Sequence, residues 1–132
     1  MNIVSNEKIV QQFIAGSGGV AKGDLVTYSS GTVIKATGGA TANTVVGIAL
    51  ETKTATNLVL VDRIGPESVI QAPFAVSGTK KTFADTDIGL VYDISDETTV
   101  NPDDTTGGIC VIAGYDNLVQ EVRFTVSVTK LY

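Results

Sequence analysis

The sequence predicts an all-β protein, a small β-barrel or β-tulip built from two loosely similar halves and carrying an N-terminal arm. Three observations lead to this expectation. Short runs rich in β-branched residues recur along the chain, with Gly, Pro, Asn, Asp and Ser clusters between them. Long helix-forming runs of Leu, Glu, Lys and Ala are missing. A second series of runs then repeats the order of the first roughly 63 residues later, as a duplicated unit would.

Taken in order, the first run is ambiguous. Ile9, Val10, Phe13 and Ile14 fall at helical spacing, with Ser5 or Asn6 as a possible N-cap and Gly16 as a possible C-cap, while a strand fits the same residues. Leu25 to Tyr28 and Thr32 to Ala36 read as a hairpin around Ser29-Ser30-Gly31. Gly38-Gly39 opens a small-polar loop. Val45 to Leu50 is a continuous apolar strand in which Gly47 marks a bulge or a close backbone approach. Asn57 to Asp62 follows and ends at Gly65-Pro66. Val69 to Val76 is extended, with Pro73 restricting it to an edge or a bulge. Ile88 to Ile94, Gly108 to Ala113 and Val122 to Val128 complete the series. The last alternates cleanly, with Val122, Phe124, Val126 and Val128 on one face. The expected core is Val26, Ile34, Ile48, Leu58, Leu60, Leu90, Ile109, Val111, Phe124 and Val126.

The duplication is seen in two matched series. Gly23 to Tyr28 leads to Val46 to Leu50 and then Leu58 to Val61. Ile88 to Asp93 leads to Gly108 to Val111 and then Phe124 to Val126. Each unit would supply half of one barrel and cover edges that the other could not protect alone.

Composition narrows the function. A chain of 132 residues supports one domain with a real core, and 43 % hydrophobic against 17 % charged residues places it far from disorder. The net charge of −5 and the scattered Lys and Arg argue against a nucleic-acid partner. No apolar stretch approaches the ~20 residues that span a bilayer, so no membrane partner is expected. The first eight residues lack a signal-peptide pattern, and folding in a cytoplasm is expected. Cys110 is alone in an apolar run and reads as a buried hydrophobe.

No arrangement for catalysis is visible. The chain contains no histidine, which removes the commonest general base and metal ligand together. Gly16 to Ala21 spells a dinucleotide-loop pattern, but a strand follows where that fingerprint needs a helix. Asp93 to Glu97 and Asn101 to Asp104 are acidic, yet they lack the glycine and glutamate positions of an EF-hand loop. We expect no enzyme activity, no cofactor and no metal.

The segments AGSGGVAKGDLVTYSSGTVIKA, VVGIALE, LVLVDRIG, DIGLVYDIS and GGICVIAG cover almost the whole chain from Ile14 onward. Together they resemble the small head-decoration, or capsid cement, proteins of tailed bacteriophages, in particular a two-repeat β-barrel group. The resemblance implies a structural protein on the exterior of a virion, made in the host cytoplasm. Its partner would be the major capsid protein, and it would clamp neighbouring capsomers, often as a trimer. It makes residues 8–14 a strand within a single domain spanning 9–132. Residues 1–8 become an arm, with Asn2, Ile3, Val4, Ser5, Asn6, Glu7 and Lys8 free to pair with a capsid strand by β-augmentation. A second resemblance is to biotinyl and lipoyl carrier domains, through Gly23 to Val26 and the lysine hairpin Leu50 to Ala55. No Asp precedes Lys53, however, and the gap from Asp24 is long for that fold. A third reading is a receptor-binding or adhesive β-module on a virion or cell surface.

Overall fold

The computed structural model describes residues 1–5, 8–39 and 44–132. The strands among them are β1 (Asn2–Ile3), β2 (Val10–Ile14), β3 (Leu25–Ser29), β4 (Thr32–Lys35), β5 (Val45–Ala49), β6 (Leu58–Arg63), β7 (Ile70–Pro73), β8 (Val91–Asp96), β9 (Thr99–Asn101), β10 (Cys110–Asp116) and β11 (Glu121–Val126). Single 3-10 turns at Asp85–Asp87 and Val128–Lys130 are the helical segments among the described residues. The ambiguous first run is therefore a strand, because β6 supplies the ladder that local propensity could not specify.

The strands form two antiparallel sheets. One runs β2-β6-β5-β3-β4 and the other β1-β7-β11-β10-β8-β9. Setting β1 aside, the second order is the first with every strand moved five places along the chain. Registers agree as well. Ala49 faces Val61 in one sheet and Ile112 faces Phe124 in the other, while Phe13 faces Val59 where Ala72 faces Val122. Each sheet curls until the ends of equivalent strands touch at one isolated parallel bridge, Ala15 after β2 with Val33 of β4 and Phe74 after β7 with Val100 of β9. Neither curl closes into a fully hydrogen-bonded barrel. The duplication read from weak sequence similarity is thus a duplication of topology.

Two clusters fill these curls. Ala15, Val20, Val26, Val33, Val46, Ala49, Val59 and Val61 occupy the first, with Phe13 and Tyr28 against them. The second is larger and aromatic, including Phe74, Phe83, Tyr92, Ile94, Ile112, Val122 and Phe124. It also takes in Leu25, Val45 and Ile48 from the first sheet and Ile64 just beyond β6, so this cluster is shared by both halves. At the β3–β4 turn, Ser30 and Gly31 both have positive φ (49° and 87°), the geometry of a two-residue hairpin. Pro73 closes β7 beyond Gln71, the last β7 residue paired with β1. Cys110 is a free, fully buried thiol; burial, with the charge of Asp93, pushes its pKa well up.

Several expected core positions are corrected. Leu58 and Leu60 are 52 % and 36 % exposed, and Leu90 is 49 % exposed. Ile34 and Val111 are half-buried. In β6 both parities of Leu58-Val59-Leu60-Val61 are apolar, so alternation alone cannot choose the inward set. Pairing with β2 chooses Val59 and Val61. Leu90 precedes β8, after Gly89 at φ 84°, so its parity is not continuous with Tyr92 and Ile94. Val128 leaves β11 for a 3-10 turn and is 64 % exposed. The other five expected core residues, Val26, Ile48, Ile109, Phe124 and Val126, are buried.

Candidate interaction surface

Polar side chains with unusual environments serve the fold. Gly18 and Gly19 adopt positive φ in a turn, and Val20 then bridges Lys53, so Gly16 to Ala21 opens no helix. Lys53 is held by that same bridge, its N–H and C=O both bonded to Val20 at 2.9 Å. In the acidic loops, Asp93 accepts the N–H groups of Gly39 and Ile94, and Asp96 accepts the N–H and hydroxyl of Thr98.

A compact polar cluster joins Lys80, Asp87 and Tyr92. Lys80 Nζ lies 2.7 Å from Asp87 Oδ1 and 2.8 Å from Tyr92 Oη, and Tyr92 Oη donates to the same carboxylate at 2.5 Å. Burial opposes the charge on Asp87, but bonds from Lys80, Tyr92 and the Ala84 N–H outweigh it and hold the carboxyl below its ordinary value of 3.8. Lys80 is held above its own ordinary value by the same partners, against the opposing effect of burial. These shifts favour an ion pair that pins the segment before β8.

A depressed carboxyl stabilises the fold above its unfolded pKa, and that contribution is lost as pH falls through the folded value. Urea unfolding should therefore show an advantage of the natural protein over Asp87→Asn that is full near neutrality and fades in acid. An advantage unchanged between about pH 7 and about pH 2 would contradict this role.

The arm does not stand free. Asn2 and Ile3 pair with Gln71 and Ile70 of β7, Val4 N–H bonds Val69 O at 2.8 Å, and Ser5 Oγ accepts the Val69 N–H at 3.2 Å. The Met1 amino group donates to Gly23 O at 2.9 Å, and Met1 and Ile3 pack against the larger core. The expectation of an unengaged strand is corrected for Met1 to Ser5. Cis pairing wins because Ile3 becomes half-buried against the larger core and the β7 edge gains a cover. Asn6 and Glu7 lie outside the described residues, and Lys8 is exposed.

The surface that stands out is the outer face of β2 and β6. Ile14 lies opposite Leu58, Gln12 opposite Leu60 and Val10 opposite Asp62, so these side chains share one face. Val10 and Ile14 are 45 % and 43 % exposed, alongside the two leucines described above. The duplicated half provides an internal comparison. There the equivalent pairs are Pro73 with Glu121 and Gln71 with Arg123, and Gln71 hydrogen-bonds Glu121. One half thus presents aliphatic side chains where the other presents charge. The fold tolerates the polar version, so it does not require the apolar one. Asp62 borders the face; burial raises its pKa, while the Lys8 charge and the Ile9 N–H pull it down.

Sequence reasoning missed this face by counting Leu58 and Leu60 as core. The signal was present: a run apolar in both parities, next to a strand with Val10 and Ile14 on one face, must leave one set outside unless both faces are covered. No protein-family model matches the chain, and no curated protein matches its sequence.

Proposed function

We propose that the chain is a non-enzymatic structural protein of a virion, which binds the exterior of a bacteriophage capsid and stabilises it by bridging subunits. The partner is the major capsid protein, and the protein acts as a homo-oligomer on the shell, a trimer in keeping with the resemblance. The observation that carries the reading is the aliphatic face of Val10, Ile14, Leu58 and Leu60, set against its polar counterpart in the other half. Contiguous exposed apolar side chains mark sites for a partner protein. The whole-length resemblance to capsid cement proteins supplies the class of partner. Because Met1 to Ser5 are engaged within the chain, attachment rests on this face more than on a reaching arm.

A protein bound only to the assembled shell stabilises it by mass action, as RT ln(1 + [L]/Kd), and repeated copies multiply the effect. Mixed with undecorated heads of its phage, the natural protein should co-sediment and raise the temperature at which the heads rupture. Leu58→Glu combined with Leu60→Arg copies the counterpart face and should abolish both effects while leaving the fold intact. Absence of co-sedimentation by the natural protein would overturn the reading.

A further inference from the structure

The hairpin joining β10 to β11 ends in Leu118 and Val119, which are 95 % and 59 % exposed. A single leucine in solvent needs no explanation, but this one stands on a backbone fixed from two sides. Asp116 Oδ1 accepts the Leu118 N–H at 2.9 Å and the Val119 N–H at 3.4 Å. Asn117 turns the other way and clasps Phe83, accepting its N–H at 3.0 Å and donating to its C=O at 2.9 Å. Phe83 is itself buried, edge-on to Phe74 and Tyr92, so the loop is tied into the core. Gln120, at φ 58°, completes the turn. The tip holds two aliphatic side chains off the surface with little backbone freedom left to lose on binding.

The duplication again supplies the comparison. Ala15 N–H bonds Asn57 O at 2.9 Å where Phe74 N–H bonds Gln120 O at 3.1 Å. That alignment places Ala55 at the position of Leu118 and Thr56 at that of Val119. The counterpart loop turns differently, with Thr56 rather than Asn57 left-handed at φ 70°, and carries small and polar residues at these positions, so the connection does not demand aliphatic ones.

We propose that Leu118 and Val119 form a preorganised anchor that inserts into an apolar pocket, with a basic rim, on the shell protein. The proposal rests on the function proposed above and deepens it. The rim chemistry follows from the charges beside the tip. Asp116, Glu121 and Arg123 line a depression of about 320 Å³, and Asp85 is held nearby by the Tyr115 hydroxyl at 2.7 Å. Acid outweighs base there, as it does in a chain of net charge −5. The same balance disfavours an anionic lipid surface. The anchor belongs to one half and the aliphatic face of β2 and β6 to the other, which gives the two separate contacts that bridging requires.

Leu118→Ala combined with Val119→Thr copies the counterpart loop and keeps every hydrogen bond of the tip. The variant should unfold at the natural temperature yet bind undecorated heads about tenfold or more weakly. Neither form should sediment with vesicles of phosphatidylcholine, alone or mixed with phosphatidylglycerol. Undiminished binding of the variant to heads overturns the anchor and leaves the capsid reading standing. Failure of the natural protein to bind heads overturns that reading and the anchor with it. Sedimentation of the natural protein with vesicles, lost in the variant, overturns the protein pocket in favour of lipid.

Discussion

Phe124→Ala should lower the free energy of unfolding by about 3–5 kcal/mol, the largest loss expected from any single truncation in this chain. Phe124 is fully buried at the middle of β11, facing Ile112 across one ladder and Ile70 across the other. Its ring lies in the core that both halves share, so the void cannot be filled by a local shift of one loop. Domains of this size are stable by about 5–15 kcal/mol, so the loss removes a large fraction of the total. Urea titration followed by dichroism gives the number directly. A loss below about 1 kcal/mol would mean that the site collapses freely, against the packing described here.

Gly47→Ala should be the next most damaging change, at about 3 kcal/mol, for the opposite reason. A Cβ at Gly47 would lie 2.0 Å from Asp62 O and 2.8 Å from Val61 Cγ1. The obstacle is the backbone of the paired strand, so relief requires moving β6 away from β5. Gly47 sits beside the β3–β5 register shift, where the bulged strand comes close to its neighbour. The equivalent residue in the other sheet, facing Val126 as Gly47 faces Arg63, is Cys110, so the constraint belongs to this half alone. Gly114→Ala, which meets nothing within 4 Å, is the control and should change stability by less than about 0.5 kcal/mol. Equal stability of the two alanine variants would refute the close approach at Gly47.

Much of the fold was legible because its signals are local. Gly-rich turns, β-branched runs and the alternation of Val122, Phe124 and Val126 each specify strands from neighbours a few residues away. Gly47 announced a bulge or a close approach, and the structure has both there. The duplication was visible as an order of motifs, although its strand-by-strand identity appears only in the pairing registers.

The interaction surface was not legible in this way. Leu58-Val59-Leu60-Val61 offers two apolar faces, and hydrophobicity is indifferent to which one turns inward. Contact with Phe13 and Gln11 on β2 made the choice, and β2 was itself undecided between helix and strand. The arm shows the same limit, since Asn2 and Ile3 carry no local mark of a partner some seventy positions away. The sequence by itself determined the class of fold, the turns and the absence of histidine chemistry. Only the tertiary structure decided which leucines face solvent and where the first residues dock. Those outcomes depend on which distant strand completes the ladder, and a period of two along one strand carries no information about that.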